Sequence, residues 1–540
     1  MSEISQRVTQ ASDTELDYDA IVVGAGFAGL YMLHRLRSLG LRARVFEAGS
    51  GVGGTWFWNA YPGARCDIES MEYSYQFDEA LQQEWVWSER YAAQPEILSY
   101  LNHVADRFDL RRDIQFDTRV QAATYEEAQG RWRVRLEKGG TATARYCIMA
   151  TGVLSSANIP AIPGLADFPG QVLHTGNWPH AGVDFTGKRV GVVGTGSSGI
   201  QVIPEIAKQA AHLTVFQRTA SYTIPARNAP LDPAAQAAVK ADYQGLRQRV
   251  SLMPIGAEFY HRDVSALAEA PAAREAEMEA RWRKGGTSFG AAFNDLMLSK
   301  EANQVAADFV RAKIRSLVAD AATAERLMPK QLFGCKRICL DTDYYATFNR
   351  PNVSLVDVSG GIEAATAQGL RVAGRDYALD TLVFATGFDA MTGALLKVDI
   401  RGVGGLPLSQ KWAEGARTYL GLQVQGFPNL FTITGPQSPS VFTNMVPSIE
   451  QHVEFIADCI AYMQPRGLTR VEPVKAAEDA WVEHVGGIAA STLYASCNSW
   501  YLGANIPGKP RVFLAHIGFP TYVQRCREVV AKDYEGFAFA

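Results

Sequence analysis

Two copies of the pattern G-x-G-x-x-G constrain this chain more than any other feature of its sequence. Each copy follows a short apolar strand and precedes an amphipathic helix, after which a second apolar strand follows. In such a unit the first glycine permits a tight turn, the second lets the backbone approach a pyrophosphate, and the third lets the helix pack on the strand. The glycines are Gly24, Gly26 and Gly29 in the first copy and Gly194, Gly196 and Gly199 in the second.

The residue that ends the second strand differs in charge between the two copies. Glu47 lies 18 residues beyond Gly29, where a carboxylate accepts hydrogen bonds from an adenosine ribose. The equivalent position of the second copy carries Arg218, which can donate two charge-assisted hydrogen bonds to a 2'-phosphate. We therefore predict FAD in the first unit and NADPH in the second, where Ser197 and Ser198 at the start of the helix share in cofactor binding.

Bulk composition predicts an ordinary globular protein of several domains. The chain has 540 residues, which is too long for one core, and it is 47% hydrophobic and 20% charged. Its formal charge of -4 offers no general attraction to nucleic acid or to an anionic membrane. No run of 18 apolar residues occurs, and the polar start, Met1 to Asp17, lacks the apolar core of a secretory signal. We expect a cytoplasmic protein, with a monomer favoured.

The seven cysteines are scattered and odd in number, and no C-x-x-C pair occurs. This pattern favours free thiols in a reducing cytoplasm over a disulfide framework. The nine histidines show no ligand spacing, so no bound metal is expected.

The order of segments predicts an α/β fold with two Rossmann-like dinucleotide-binding domains, for FAD and NADP, and a helical insertion. Two apolar strands end in Ala-Thr-Gly, at Gly152 and at Gly387, as expected of strands that return to a nucleotide site. The stretch between Pro225 and Pro329 is rich in Ala, Glu, Arg and Lys with helical periodicity. The predicted divisions are 1–155 and 389–540 for the FAD domain, 156–224 and 335–388 for the NADP domain, and 225–334 for a helical insertion in the NADP domain.

Two nucleotide units in one chain indicate hydride transfer from NADPH to flavin, which leaves open where the electrons go next. A disulfide reductase needs a pair of redox cysteines after the first unit, and only Cys66 lies in that neighbourhood. This class is disfavoured, and O2 is the alternative acceptor.

Two longer motifs carry a resemblance to a known family. Residues 168–179 read F-P-G-Q-V-L-H-T-G-N-W-P, which matches the pattern F-x-G-x-x-x-H-x-x-x-W-P, and residues 53–67 read G-G-T-W-F-W-N-A-Y-P-G-A-R-C-D. With these motifs the chain resembles the type I Baeyer–Villiger monooxygenases, most closely the phenylacetone and steroid monooxygenase group. The resemblance covers nearly the whole chain after Tyr18.

This resemblance implies a ketone monooxygenase that forms esters or lactones from O2 and NADPH through an anionic C4a-peroxyflavin. It assigns the cation that stabilises the developing oxyanions to Arg337, with Asp67 beside it to orient it and to share in cofactor binding. Lys336 matches a second ligand of the NADP 2'-phosphate. From spacing alone, Lys336 and Arg337 would be a solvated basic pair and Asp67 an acidic residue of a surface turn.

The remaining site residues also follow from the resemblance. Thr55, Trp56 and Trp500 are implied to contact the cofactors, the last from a mobile loop that closes the site. His174 and Trp178 are implied to couple NADP binding to rearrangement, whereas the pattern alone makes His174 a hydrogen-bonding residue between domains and Trp178 simple packing. The predicted substrate pocket consists of Val441, Phe442 and Met445.

Two rival functions remain at this point. A flavin monooxygenase that attacks amines or thioethers is disfavoured by Trp178-Pro179 and Arg337. A nucleotide-binding redox sensor or scaffold without turnover is the rival from another class.

Overall fold

The structure is a computed structural model and describes residues 16–540. Its strands are β1 (Tyr18–Val23), β2 (Ala43–Phe46), β3 (Ile114–Gln115), β4 (Val120–Glu126), β5 (Arg131–Leu136), β6 (Thr141–Met149), β7 (Gln171–His174), β8 (Arg189–Val193), β9 (His212–Gln217), β10 (Thr223–Pro225), β11 (Cys339–Asp341), β12 (Val353–Asp357), β13 (Ala364–Thr366), β14 (Gly369–Val372), β15 (Arg375–Ala378), β16 (Thr381–Phe384), β17 (Asp399–Arg401), β18 (Leu430–Thr432), β19 (Val471–Pro473) and β20 (Phe537–Phe539).

The α-helices of the same part of the chain connect these strands singly or in groups. They are α1 (Phe27–Ser38), α2 (Thr55–Trp58), α3 (Glu79–Glu84), α4 (Gln94–Arg107), α5 (Ser197–Ala207), α6 (Pro233–Ala241), α7 (Tyr243–Ser251), α8 (Pro271–Lys284), α9 (Lys300–Leu317), α10 (Ala321–Leu327), α11 (Tyr344–Thr347), α12 (Gly393–Leu396), α13 (Leu408–Lys411), α14 (Met445–Met463), α15 (Lys475–Ala490) and α16 (Phe519–Ala531).

The first sheet has eight strands in the order β17-β4-β5-β6-β1-β2-β3, with β18 also paired to β6. Strand β1 runs parallel to both β2 and β6, and its last residue, Val23, is in register with Phe46 and with Met149. The carboxyl ends of these three strands therefore meet at one edge, where ligands bind in open α/β sheets. The first glycine loop follows β1 at this edge.

The second sheet repeats this arrangement with five parallel strands in the order β12-β9-β8-β16-β7. Val193 at the end of β8 is in register with Phe216 of β9 and with Phe384 of β16. Helix α5 connects β8 to β9 as α1 connects β1 to β2. Two parallel strand-helix-strand units with apolar strands of this kind confirm the predicted fold class.

The helical segment 225–334 is divided between two hydrophobic cores. Residues of α7 such as Leu246 and Val250 belong to the core around the first sheet, whereas Trp282 of α8 and Phe309 of α9 belong to the core of the second sheet. Arg247 strengthens the first attachment, because its guanidinium donates hydrogen bonds to backbone carbonyls of residues 72 and 74. The segment is helical, and its helix α7 presents its apolar face to the first core whereas α8 and α9 pack on the second.

Two of the cysteines correct the expectation of free thiols throughout. Cys335 and Cys497 form a disulfide, with their Cα atoms 5.5 Å apart and a sequence separation of 162. The sequence gives no hint of this pair, because only the fold brings the two segments together. The other five thiols are free and buried.

Residues 1–15, on which the expected lack of a secretory signal mostly rests, lie outside the described part of the chain. From residue 16 onward, no helix combines the length and the apolar character that a membrane span requires. Over the same range, His, Cys, Asp and Glu side chains form no group of three or more that could hold a metal ion.

Candidate active site

A single continuous cleft of about 2180 Å³ lies between the two sheets and reaches both glycine loops. Most of the residues singled out from the sequence line it. These are Gly24, Gly26, Glu47, Thr55, Trp56, Asp67, Gly194, Gly196, Ser197, Ser198, Arg218, Lys336, Arg337, Val441, Met445 and Trp500.

The first glycine loop has no room for side chains at its three glycines. Gly24 has a φ of +105°, and a Cβ atom there would lie 2.6 Å from the carbonyl oxygen of Ala150, in the first Ala-Thr-Gly strand end. A Cβ at Gly29, which does not line the cleft, would lie 1.8 Å from the carbonyl oxygen of Gly24. At Gly26 it would lie 3.3 Å from Cα of Gly54. The loop is thus a backbone cradle at the start of α1, which fits the pyrophosphate of a dinucleotide.

The carboxylate of Glu47 is fixed at the edge of this cradle. It accepts hydrogen bonds from the backbone N–H groups of Ala25, at 2.6 Å, and Gly49, at 2.7 Å. Burial raises the pKa of Glu47, and these two hydrogen bonds oppose that effect. With only 4% of its surface exposed, the carboxylate is held at the position where an adenosine ribose is expected.

The second glycine loop has the same construction. Gly194 has a φ of +109°, and its Cβ would lie 2.4 Å from the carbonyl oxygen of Ala385 in the second Ala-Thr-Gly strand end. A Cβ at Gly199, behind the cleft wall, would lie 2.3 Å from the carbonyl oxygen of Gly194. Gly196 differs, because a Cβ there would meet no atom within 4 Å. It therefore leaves open space in the cleft, as close approach of a ligand to the backbone requires.

Two cations, Arg218 and Lys336, line the cleft close enough for their charges to repel one another. Arg218 is exposed and Lys336 is half-buried. Burial lowers the pKa of Lys336, and the neighbouring charge of Arg218 lowers it further. A phosphate between the two side chains would remove this repulsion, so the pair fits the 2'-phosphate of NADP.

Arg337 is another cation that lines the cleft. Its Nε and Nη2 atoms donate to the two carboxylate oxygens of Asp67, at 2.6 and 2.9 Å, and its Nη1 atom donates to the carbonyl oxygen of Val441 at 2.7 Å. Burial alone would lower the pKa of Arg337, but the carboxylate of Asp67 raises it above its ordinary value. The guanidinium is therefore a permanent positive charge with a fixed direction, and 30% of the side chain is exposed to the cleft.

His174 and Trp178 do not line the cleft but flank residues 176 and 177, which do. His174 Nδ1 accepts a hydrogen bond from the N–H of Gly176 at 2.9 Å, while its Nε2 atom is buried without a partner. Burial lowers the pKa of His174, so the ring is neutral. Trp178 donates its backbone N–H to the carbonyl oxygen of Trp58 in α2 at 3.1 Å, which joins the second half to the first.

The predicted substrate pocket is only partly assembled as expected. Val441 and Met445 line the cleft near Arg337, but the ring of Phe442 turns away from it and packs 4.4 Å from the ring of Tyr501. Tyr494 and Phe513 complete this aromatic cluster around Phe442.

Some residues that line the cleft were not predicted from the sequence. Ile449 lies one helical turn after Met445 on α14 and lines the same wall, which the i, i+4 spacing could have revealed. Cys335 of the disulfide and Asn498, which follows Cys497, also line the cleft, and no sequence signal marks them.

Comparison with known proteins identifies the family. Residues 19–230 match the family model of flavin-binding monooxygenase-like proteins. A Baeyer-Villiger monooxygenase from Pseudooceanicola batsensis is 46% identical, over 96% of this chain and 95% of the relative. A phenazine N-monooxygenase from Lysobacter antibioticus is 44% identical, over 96% of each chain. The solved structure of an oxidised steroid monooxygenase bound to NADP is 52% identical with a TM-score of 0.92, over 97% of this chain and 99% of that one.

These identities extend over nearly the full length of each chain, and the two glycine loops and the cations between them are all in place. The chain therefore belongs to the Baeyer–Villiger monooxygenases, a family of NADPH-dependent flavin enzymes.

Proposed function

We propose that this chain inserts one oxygen atom of O2 beside the carbonyl carbon of a ketone, giving an ester or a lactone, with NADPH as the electron donor and FAD as the bound cofactor. The other oxygen atom leaves as water. The observation that carries this proposal is the fixed guanidinium of Arg337 in the cleft between the two nucleotide cradles.

The residues at the first cradle fit FAD. Gly24 and Gly26 line the cleft where a pyrophosphate would bind, and the carboxylate of Glu47 is at the position for a ribose. Thr55 and Trp56 begin α2 on the facing side of the cleft. When bound, FAD accepts hydride from NADPH and passes the electrons to O2, which no side chain of this chain can do.

The second cradle fits NADPH, with Gly194 and Gly196 for the pyrophosphate, Ser197 and Ser198 at the start of the helix, and Arg218 and Lys336 for the 2'-phosphate. Trp500 would close over the nicotinamide side. We assign His174 and Trp178 to the contact that transmits NADP binding between the two halves. The backbone hydrogen bond from Trp178 to Trp58 supports this assignment, and the ring of His174 packs on Phe388 after the second Ala-Thr-Gly strand end.

Arg337 is the proposed catalytic cation. A positive charge that is oriented before the reaction stabilises negative charge developing on the ketone oxygen and on the attacking oxygen, without reorganisation during the step. Asp67 keeps the guanidinium in this direction and supplies the counter-charge. The apolar side chains of Val441, Met445 and Ile449 would bind the carbon skeleton of the ketone and exclude water.

Replacing Arg337 tests this proposal. We expect Arg337→Ala to lower ester formation by at least about 100-fold, as for other removed oxyanion-stabilising groups. Arg337→Lys keeps the charge but loses the two-pronged contact with Asp67, so it should recover only part of the rate. Ester formation and NADPH consumption are measured in the same reaction. Arg375 is exposed, and Arg375→Ala is the matched control. Ester formation by Arg337→Ala at the unaltered rate would refute the assigned role.

Oxygenation of an aromatic nitrogen is a second candidate, because one relative of 44% identity is a phenazine N-monooxygenase. A nitrogen nucleophile attacks oxygen, whereas a ketone is attacked by it, so one chemistry does not imply the other. Product analysis with a ketone and a nitrogen heterocycle decides between them. An N-oxide without any ester would favour the second candidate.

The monomeric state, the cytoplasmic location and the domain boundaries expected from the sequence stay predictions.

A further inference from the structure

The segment 498–510, which carries Trp500, is attached to the rest of the molecule at both of its ends. At the start, Cys497 forms the disulfide with Cys335, and both residues are 5% exposed. Toward the end, Lys509 Nζ donates to a carboxylate oxygen of Asp389 at 2.6 Å and to the carbonyl oxygen of Ala390 at 2.8 Å. Between these attachments the chain makes one short 3-10 turn, Trp500–Leu502.

The disulfide joins the segment that carries two positive charges of the cleft to the segment that carries the indole of Trp500. Cys335 directly precedes Lys336 and Arg337, and Cys497 precedes Trp500 by three residues. Cys335, Asn498 and Trp500 all line the cleft. The bond therefore fixes the distance between the guanidinium-bearing segment and the segment that covers the cleft.

The second attachment is not covalent. Asn505 Nδ2 donates to the carbonyl oxygen of Phe388 at 2.7 Å, and Lys509 pairs with Asp389 directly after the second Ala-Thr-Gly strand end. Asp389 is 30% exposed in this ion pair. Because such a contact can open and re-form readily, the disulfide and the buried ring of Tyr501 are the attachments that limit how far the segment can leave the cleft, and only the disulfide is covalent.

We propose that the disulfide of Cys335 and Cys497 is a positioning link for the oxygenation proposed above, and that its redox state sets how well the enzyme retains NADP and delivers oxygen to the ketone. With the bond intact, Trp500 stays at a fixed distance from Lys336 and Arg337. With the bond reduced, the segment must be ordered anew each time the cleft closes. This inference rests on the proposed function.

The reaction itself supplies an oxidant for the link. When electrons of NADPH reach O2 but no ketone receives oxygen, hydrogen peroxide is released. The thiol of Cys335, which lines the cleft, would attack peroxide as a thiolate to give a sulfenic acid and one water. The thiol of Cys497 would then displace the hydroxyl as a second water and form the S–S bond. Two thiols and one peroxide thus yield one disulfide and two waters. Peroxide released without oxygenation of a ketone therefore re-forms the disulfide.

The test compares the same holoenzyme before and after mild reduction with a phosphine. Thiols are first counted after denaturation, and five are expected in the oxidised enzyme against seven after reduction. NADP+ affinity is then measured by titration of the flavin absorbance, which needs no turnover. We expect reduction to weaken NADP+ binding by about three- to tenfold, the cost of ordering a few side chains. The fraction of NADPH lost as peroxide should rise in parallel.

Variants separate the link from general effects of the reductant. Cys335→Ser and Cys497→Ser should each resemble the reduced enzyme and should no longer respond to reduction. Cys459→Ala, which removes a buried thiol from α14, should respond as the unaltered enzyme does. Re-oxidation with dilute peroxide should restore the reduced enzyme but neither serine variant.

Equal NADP+ affinity and equal peroxide yield before and after reduction would overturn the proposal, as would seven free thiols in the oxidised enzyme. If NADP+ affinity depends on reduction but no ketone gives an ester, the link stands and the proposed function fails.

Discussion

At the scale of single residues, charge decides what the cleft can bind. Glu47 and Arg218 occupy equivalent positions after the second strand of each unit. Their opposite charges are visible in the sequence, so the binding preference of each unit could be predicted from it. Asp67 and Arg337 could not be paired in this way, because 270 residues separate them and only the fold brings them together. Their roles came from the resemblance to a family, which the comparisons confirm as the family of this chain.

Lys336 leads to a prediction about cofactor choice. Lys336→Ala or Arg218→Ala should raise the KM for NADPH by about 10- to 100-fold, the worth of a charge-assisted contact, and should leave the KM for NADH unchanged. Steady-state kinetics with both nucleotides checks this. An equal loss for NADH would mean that the two cations do not bind the 2'-phosphate.

The same lysine gives the sign of a pH effect. Burial and Arg218 lower its pKa, and only the protonated amine attracts phosphate. NADPH affinity should therefore fall as pH rises from about 7 toward the range where lysine titrates. Lys336→Met should bind more weakly and show a flatter dependence on pH. A wild-type profile as flat as that of the variant would contradict this assignment.

At the scale of secondary structure, each unit places a glycine loop on the end of an Ala-Thr-Gly strand. The alternation of strands and helices made this arrangement predictable, since parallel strands share one edge. The direction of Phe442 was not predictable, because it depends on Tyr494, Tyr501 and Phe513, which belong to a later irregular segment. The division of the helical segment between two cores also depends on tertiary contacts that periodicity does not encode.

Two glycines of the second unit provide a matched test of this arrangement. Gly196→Ala adds a methyl group that meets no protein atom within 4 Å, at a φ of -83°, so the fold should remain as stable as before. It should nevertheless weaken NADP+ binding by at least about tenfold, because the methyl group takes the space of the pyrophosphate.

Gly199→Ala should show the opposite behaviour, because its methyl group would lie 2.3 Å from the carbonyl oxygen of Gly194. We expect a loss of about 1–3 kcal/mol of unfolding free energy. Thermal unfolding and NADP+ titration of both variants test the pair. Intact NADP+ binding by Gly196→Ala would show that the ligand does not approach this glycine.

At the scale of the whole molecule, contacts across the boundary join the two nucleotide halves. The hydroxyl of Tyr61 donates to Gln201 of α5 at 2.8 Å, and Gln201 in turn donates to the carbonyl oxygen of Arg65 at 3.0 Å. The helical segment adds attachments to both cores, through Leu246 and Trp282 among others. These contacts should make the two halves unfold together.

Removal of FAD tests this coupling. At a concentration 100 times its Kd, FAD should stabilise the folded chain by about 2.7 kcal/mol. We expect calorimetry of the FAD-free protein to show one transition, which moves as a whole to higher temperature when FAD is added. Riboflavin, which lacks the pyrophosphate and the adenosine, is the control and should shift it less. Two transitions, of which FAD moves only one, would show that the halves are independent.

The divided helical segment also determines where this protein can be recombined with a relative. A chimera that exchanged 225–334 together with the second nucleotide half would carry α7 away from the side chains it covers, and Leu246 and Val250 would face a foreign surface. The natural crossover point lies instead between Ala257, which packs on the first core, and Ala266, which packs on the second. In a chimera joined at that point, the core from each parent would keep the helices that pack on it.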